Sequence, residues 1–134
     1  MTSNPPVEVQ QYGQSIWLDF ISRRALESGE LRRYIDEFGV VGVTSNPTIF
    51  QKAIGDSADY DAAISHLLDL DPYAIYERLA IADIQEALDL FRPVYDRTDG
   101  LDGYVSLEVS PLIANDTQTT IAEAKRLFQT INRP

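Results

Sequence analysis

Residues 40–54 read V-V-G-V-T-S-N-P-T-I-F-Q-K-A-I, a stretch that combines the patterns of a strand, a turn and a helix. Its first five residues are apolar on both faces of an extended segment, which is typical of a strand buried in a parallel sheet. Asn46 suits the position that caps a helix, and Pro47 suits the first position inside one. The stretch therefore predicts a strand over residues 40–44, then a turn, then a helix over residues 48–54.

Two further strands are predicted on either side of this stretch. Residues 15–21 read S-I-W-L-D-F-I, a short apolar run rich in residues that favour strands. Residues 104–109 read Y-V-S-L-E-V and follow a turn cluster of glycine and aspartate. Because helical patterns separate the three strands, the sequence predicts an α/β fold with parallel strands joined by right-handed crossovers.

Periodic apolar residues and capping residues predict four more helices. They cover residues 22–38 with a break at Gly29, residues 59–68, residues 71–91, and a last segment that follows Asn115 or Asp116. Pro93 should stop or kink the third of these helices, because proline lacks the N–H that a helix needs. The apolar stripe expected to face the core in the last helix consists of Ile121, Ala124, Phe128 and Ile131.

Composition and charge exclude several classes of site and partner. The chain has no cysteine, which excludes disulfides, thiolate metal sites and cysteine nucleophiles and suits a cytoplasmic protein. Its net charge of −10 repels nucleic-acid phosphates, and no apolar run approaches the roughly 20 residues of a membrane span. We therefore expect neither a nucleic-acid nor a membrane partner. We also expect residues 1–14 to form a flexible lead-in and residues 15–134 to form one domain.

Two acidic residues lie inside predicted strands. Asp19 is in the first strand and Glu108 is in the third. Burial of an isolated carboxylate is costly, so one interpretation is that each residue lies near a strand end and is solvated. The other interpretation is that both line a polar centre shared by the strands, as they would inside a barrel. The residues alone leave both interpretations open.

Thr44 and Asn46 follow the second strand. Helix capping alone can explain Asn46. The functional interpretation places both side chains at the carboxyl end of a parallel strand, where α/β folds bind their ligands. His66 is the single histidine and has no second ligand at metal spacing, so no metal site is predicted.

Three segments together resemble the first three strand motifs of the transaldolase family. They read S-I-W-L-D-F at residues 15–20, the quoted stretch at residues 40–54, and D-G-Y-V-S-L-E-V-S-P at residues 102–111, in the family's order. Within the family, the resemblance is to the subgroup with the motif VGVTSNPTIFQ. The resemblance covers residues 15–134 and implies the N-terminal part of a (β/α)₈ barrel, with three parallel strands and an end before the fourth strand.

The resemblance also implies an activity and roles for the candidate residues. The family transfers a dihydroxyacetone unit from a ketose phosphate such as sedoheptulose 7-phosphate to glyceraldehyde 3-phosphate, in the pentose phosphate pathway. It uses a lysine Schiff base and no metal or organic cofactor. By motif, Asp19 matches the acid–base residue of carbon–carbon cleavage, and Glu108 matches the carboxylate that assists Schiff-base formation through a water. Asn46 matches the asparagine that binds substrate hydroxyls, with Thr44 beside it as a further substrate-binding residue.

The lysines depart from the family's pattern. The family's lysine lies on the fourth strand, and this chain contains only Lys52 and Lys125, neither on a strand that faces Asp19 and Glu108. We therefore expect the chain alone to be inactive. An alternative is a non-catalytic module that self-associates or binds a partner, because three strands leave exposed edges. A sugar-phosphate aldolase with another barrel fits the motif of residues 40–54 less well.

Overall fold

One sheet of three parallel strands organises the chain, whose computed structural model describes residues 4–134. The strands are β1 (Trp17–Leu18), β2 (Gly42–Val43) and β3 (Tyr104–Val105), in the spatial order β1-β2-β3. The central strand, β2, pairs in parallel with both neighbours. The predicted α/β class with three parallel strands is confirmed.

The strands are shorter than the segments that the sequence predicted. Hydrogen bonds continue the pairing slightly beyond them, because the Val41 N–H donates to the Ile16 carbonyl at 2.9 Å and the Ser106 N–H donates to the Val43 carbonyl at 3.0 Å. Ile21, in contrast, is buried although it lies outside the sheet. The apolar pattern therefore marked burial correctly but overestimated how far the strands pair.

Helices fill most of the remaining chain. They are α1 (Pro5–Glu8), α2 (Arg23–Glu27), α3 (Glu30–Phe38), α4 (Pro47–Gly55), α5 (Asp61–Ser65), α6 (Pro72–Arg97) and α7 (Thr117–Ile131), with 3₁₀ turns at Val9–Tyr12 and Pro111–Ile113. The predicted caps are present, because Ser22, Asn46 and Asp116 accept hydrogen bonds from the first turns of α2, α4 and α7. Gly29 separates α2 from α3, as the predicted break required.

Of the two outcomes predicted at Pro93, a stop or a kink, the stop is wrong, because α6 continues through this residue to Arg97. A proline inside a helix costs about 3 kcal/mol. Phe91 and Val94, on either side of it, are completely buried in the core. Their packing outweighs the hydrogen bond that the helix loses.

The helix predicted over residues 59–68 is reduced to α5. Asp59 lies outside the helix and forms an ion pair with Arg24, and Tyr60 is fully buried before the helix begins. The side chains at the start of the predicted segment thus bind other parts of the protein instead of extending the helix.

The face that the last helix turns to the core shares only Ile131 with the predicted stripe, because Ile131 is half-buried against the core cluster. Leu127 is the buried residue of α7, with 6% of its surface exposed, whereas Phe128 of the predicted stripe is 69% exposed. Ile121 and Ala124 are also exposed. The helix carries apolar residues on two faces, and the face with Leu127 is the one that meets the core.

The core lies between the helices and one face of the sheet. Leu18, Val43 and Val105 form one row across the three strands, and all three pack with the buried cluster that includes Ile84 and Phe91 of α6. Side chains alternate between the two faces of a sheet. Their neighbours along the strands therefore point to the opposite face.

That opposite face of the sheet is more open. Trp17, Gly42 and Tyr104 form its row, and Trp17 and Tyr104 are 38% and 44% exposed. The indole of Trp17 lies directly over Gly42, where an added Cβ would be 2.5 Å from the ring. Gly42 is therefore required by this close approach.

The predicted lead-in contains short helical structure. The side chain of Asn4 donates to the Glu37 carbonyl at 2.7 Å, and that of Gln10 donates to the Gly39 carbonyl at 2.6 Å. These bonds attach the segment to the end of α3. Residues 1–3 of the lead-in lie outside the described residues, and its flexibility stays a prediction.

Candidate active site

Side chains from three loops gather at the carboxyl edge of the sheet. Asp19 follows β1 directly, Thr44 follows β2 directly, and Asn46 and Glu108 lie slightly further along their loops. In a parallel sheet the carboxyl ends of all strands lie at the same edge, and α/β folds bind their ligands there. The four residues predicted from the sequence therefore share this edge.

Asp19 and Thr44 are in direct contact. The Thr44 hydroxyl donates a hydrogen bond to Asp19 Oδ1 at 2.7 Å. Both residues come one position after the row of Leu18 and Val43, so the alternation of side chains directs them to the open face of the sheet. The other carboxylate oxygen, Asp19 Oδ2, accepts no hydrogen bond from residues 4–134. Asp19, an exposed residue, thus has one oxygen held by Thr44 and a second oxygen without a hydrogen-bond partner among the described residues.

Asn46 caps a helix and also retains a free donor. Its Oδ1 accepts a hydrogen bond from the Ile49 N–H at 2.9 Å, at the start of α4. Its Nδ2 has no hydrogen-bond partner within the described part of the chain. An asparagine amide carries two N–H donors, so this group can bind a hydroxyl oxygen. Capping and ligand binding are compatible here, because they use different atoms of the side chain.

Glu108 lies at the junction of two clefts. It lines an open cavity of about 560 Å³ together with Asn46 and Lys52. It also borders a smaller cleft of about 270 Å³ with Tyr73 and Tyr76. Burial raises the pKa of the Tyr76 hydroxyl, and the neighbouring Tyr73 and Glu108 raise it further. The carboxylate therefore has polar groups on one side and aromatic rings on the other.

The predicted site residues form two pairs. Asp19 contacts Thr44, and Asn46 shares a cavity with Glu108, but no hydrogen bond within residues 4–134 joins the two pairs. The prediction that both carboxylates lie inside strands is wrong. Asp19 and Glu108 are exposed and follow their strands, which agrees with the interpretation that they lie at strand ends.

Two serines that were not among the predicted site residues connect the loops of this edge by hydrogen bonds. The Ser45 N–H donates to Ser106 Oγ at 3.0 Å, and the Ser45 hydroxyl donates to the Ser106 carbonyl. Ser45 is almost completely buried. The serine between Val105 and Leu107 was the available signal, because a hydroxyl in an apolar segment needs a partner.

The structure contains no sign of a metal centre or a membrane span in the region it describes. Among residues 4–134, no group of three histidine, cysteine, aspartate or glutamate side chains could hold a metal ion. No described helix combines the length and the apolar character needed to cross a bilayer.

Comparison with known proteins decides the family. The model of the transaldolase/fructose-6-phosphate aldolase family matches residues 16–134, a range that includes the sheet and all four predicted site residues. This chain belongs to the transaldolase/fructose-6-phosphate aldolase family. The resemblance recognised from the three strand motifs is thereby confirmed.

Relatives agree with this assignment. The chain is 51% identical over 135 residues to Transaldolase 2 of Nostoc punctiforme, covering 99% of this chain and 35% of that protein. It is 49% identical over 135 residues to the transaldolase of Trichodesmium erythraeum, covering 99% and 36%. It is 47% identical over 129 residues to the transaldolase of Thiobacillus denitrificans, covering 95% and 36%. The chain therefore spans about a third of the length of the curated relatives it matches.

Proposed function

We propose that this chain supplies the acid–base groups of a transaldolase. The proposed enzyme transfers a dihydroxyacetone unit from sedoheptulose 7-phosphate to glyceraldehyde 3-phosphate through a lysine Schiff base, in the cytoplasm and without a metal or organic cofactor. The observation that carries the proposal is the Thr44–Asp19 hydrogen bond at the carboxyl edge of a parallel sheet, in a chain of this family. The three strands would be the first three of a (β/α)₈ barrel.

Asp19 is the proposed base for carbon–carbon cleavage. When the bond between C3 and C4 of the ketose breaks, the hydroxyl on C4 must lose its proton. A base must lie within about 2.6–3.2 Å of that hydroxyl. Asp19 Oδ2 is the free oxygen, and Thr44 keeps the carboxylate from rotating by holding Oδ1. In the reverse direction, Asp19 returns the proton to the aldehyde oxygen of the acceptor.

Asn46 and Glu108 have complementary proposed roles. The free amide of Asn46 donates to a hydroxyl of the substrate, which orients the chain of carbon atoms against Asp19. Glu108 faces a cavity large enough for both water and a sugar chain. A carboxylate in that position can pass protons through a water to and from the amine as the Schiff base forms and hydrolyses.

The Schiff-base lysine is proposed to come from outside these 134 residues. Lysine becomes a nucleophile in this chemistry when it is desolvated. Lys52 borders the cavity of Asn46 and Glu108 but is exposed, and Lys125 is exposed on α7. Neither residue is placed as such a nucleophile, so the chain alone is expected to have no transaldolase turnover.

A chimera tests this proposal. In this chimera, the 134 residues replace the matching third of the Nostoc punctiforme relative, and the rest of that relative is kept. The assay measures formation of erythrose 4-phosphate from sedoheptulose 7-phosphate and glyceraldehyde 3-phosphate. We expect the chimera to turn over at a rate comparable to that of the intact relative, and the 134-residue chain to show none. A chimera that folds cooperatively but shows no turnover would contradict the proposed function.

Self-association is a second candidate property, favoured by exposed apolar side chains. Leu112 is 91% exposed, and Phe128, Tyr104 and Trp17 are exposed as well. Association would bury these surfaces and the strand edges. The acidic surface opposes association, but its repulsion is screened beyond about 8 Å at physiological salt. Apolar burial is not screened and should dominate at high protein concentration.

Sedimentation across a dilution series measures this self-association. We expect the chain to form dimers or larger species as its concentration rises, and Phe128→Glu to weaken this association. Tyr12→Glu is the matched control, because Tyr12 is a similarly exposed aromatic residue in the lead-in. A compact monomer at every concentration would show that the exposed surfaces do not associate.

A further inference from the structure

A buried polar network joins the loop after β1 to the middle of α6. Its centre is Asp83, whose side chain is only 1% exposed. Asp83 Oδ1 accepts hydrogen bonds from Arg23 Nε at 3.1 Å and from Arg23 Nη2 at 2.8 Å. Asp83 Oδ2 accepts a hydrogen bond from the Tyr60 hydroxyl at 2.7 Å. Both carboxylate oxygens are therefore bound by groups from two other segments of the chain.

Arg23 is held by its backbone as well as by its side chain. Its N–H donates to the Tyr60 hydroxyl at 2.9 Å, and its guanidinium lies 4.4 Å from the centre of the Tyr60 ring. The Tyr60 hydroxyl thus accepts from Arg23 and donates to Asp83 at the same time. Burial raises the pKa of Asp83, while the hydrogen bonds from Tyr60 and Arg23 oppose this shift.

Stability alone is a weak explanation for this network. Replacing a buried ion pair by apolar side chains of similar volume is often neutral or stabilising, because ions are costly to desolvate. Directional hydrogen bonds do, however, select one arrangement of the segments that they join. The network is therefore suited to fixing the position of the chain around Arg23 relative to α6.

The segment that the network fixes contains Asp19. Residues 19–22 connect β1 to α2, and Arg23 is the first residue of that helix. At one end of the segment, the Leu18 carbonyl accepts a hydrogen bond from the Thr44 N–H at 2.9 Å. At the other end, Arg23 is bound to Tyr60 and Asp83. Ile21, between the two ends, is buried in the core.

We infer that Arg23, Tyr60 and Asp83 act as positioning residues for Asp19. By holding the end of the 19–22 segment, they keep the Asp19 carboxylate against the Thr44 hydroxyl, with its second oxygen free. The catalytic consequence rests on the function proposed above for Asp19, whereas the positioning itself is a property of this chain.

Nuclear magnetic resonance of the 134-residue chain tests the positioning directly. Tyr60→Phe removes the single oxygen that links the Arg23 N–H to Asp83 and keeps the ring. Tyr95→Phe is the matched control, because Tyr95 is partly buried against Tyr104 at the opposite end of the sheet. The readouts are the ¹³C signal of the Asp19 carboxyl group and the backbone order parameters of residues 19–22.

We expect Tyr60→Phe to shift the Asp19 carboxyl signal and to lower the order parameters from about 0.85, typical of rigid backbone, to below about 0.6. Tyr95→Phe should change neither readout. Asp83→Asn, which keeps the shape of the side chain but removes its charge, should shift the Asp19 signal as well. If either Tyr60→Phe or Asp83→Asn lowers the melting temperature but leaves the Asp19 signal and the order parameters unchanged, the network is only structural and the inference is wrong.

The chimera separates this inference from the proposed function. In an active chimera, Tyr60→Phe should lower kcat and leave KM nearly unchanged, because the base is misplaced while the binding groups remain. An inactive chimera combined with a shifted Asp19 signal would contradict the proposed function and support the positioning. An active chimera in which Tyr60→Phe leaves both kcat and the Asp19 signal unchanged would overturn the positioning alone.

Discussion

Asp19→Asn is expected to lower the kcat of the chimera by about 10²–10⁴-fold, the range typical for loss of a general acid–base residue. An amide oxygen can still accept the hydrogen bond from Thr44, so the loop should keep its position. An amide cannot take up the proton of the substrate hydroxyl, however, so cleavage of the carbon–carbon bond loses its base. Steady-state rates with sedoheptulose 7-phosphate as the donor measure the effect.

Asp36→Asn is the matched control for Asp19→Asn. Asp36 is an exposed aspartate of α3 whose partner is Arg32, one helical turn away. An exposed ion pair of this kind contributes about 0.3–0.5 kcal/mol, so its loss should leave turnover unchanged. Equal rates for the two variants would show that Asp19 is not the base.

Gly103→Ala is expected to destabilise the chain by about 3 kcal/mol or more. Gly103 has a φ of +94°, and an added Cβ would lie 2.5 Å from the backbone nitrogen of Tyr95. Overpacking costs about 1–3 kcal/mol, and a strained backbone conformation costs about the same again. The end of α6 and the start of β3 would have to move apart. Urea denaturation followed by circular dichroism measures the free energy of unfolding.

Gly29→Ala separates the two contributions to this loss. Gly29 also has a positive φ, of +79°, but an added Cβ would meet no atom within 4 Å. Its substitution should therefore cost only the conformational strain. If both variants lost the same free energy, the close contact between Gly103 and Tyr95 would not be a determinant of stability.

The features that the sequence predicted well depend on local chemistry. Asn46 and Pro47 fix the start of α4 through a capping bond and a preset φ, and both effects act within a few residues. The same holds for Ser22 and Asp116 at the starts of α2 and α7. The sequence also located the three strand segments, although it put Asp19 and Glu108 inside two of them and the structure has both residues after the strands.

The features that the sequence missed depend on contacts between distant segments. Asp83 looks like an ordinary surface residue of a helix, and its partner Arg23 lies 60 positions earlier in the chain. The packing of Phe91 and Val94 that carries α6 through Pro93 is likewise tertiary. On α7, periodicity identified an apolar stripe but could not show that Leu127 would be the residue facing the core.

Borohydride trapping with fructose 6-phosphate locates the lysine that forms the Schiff base, which is proposed to lie outside this chain while the acid–base groups lie within it. Reduction converts the Schiff base into a stable amine, which peptide mass spectrometry locates. We expect the chimera to form an adduct on a peptide outside these 134 residues, and the chain alone to form none. An adduct on Lys52 or Lys125 would contradict the account, because the chain would then carry its own nucleophile.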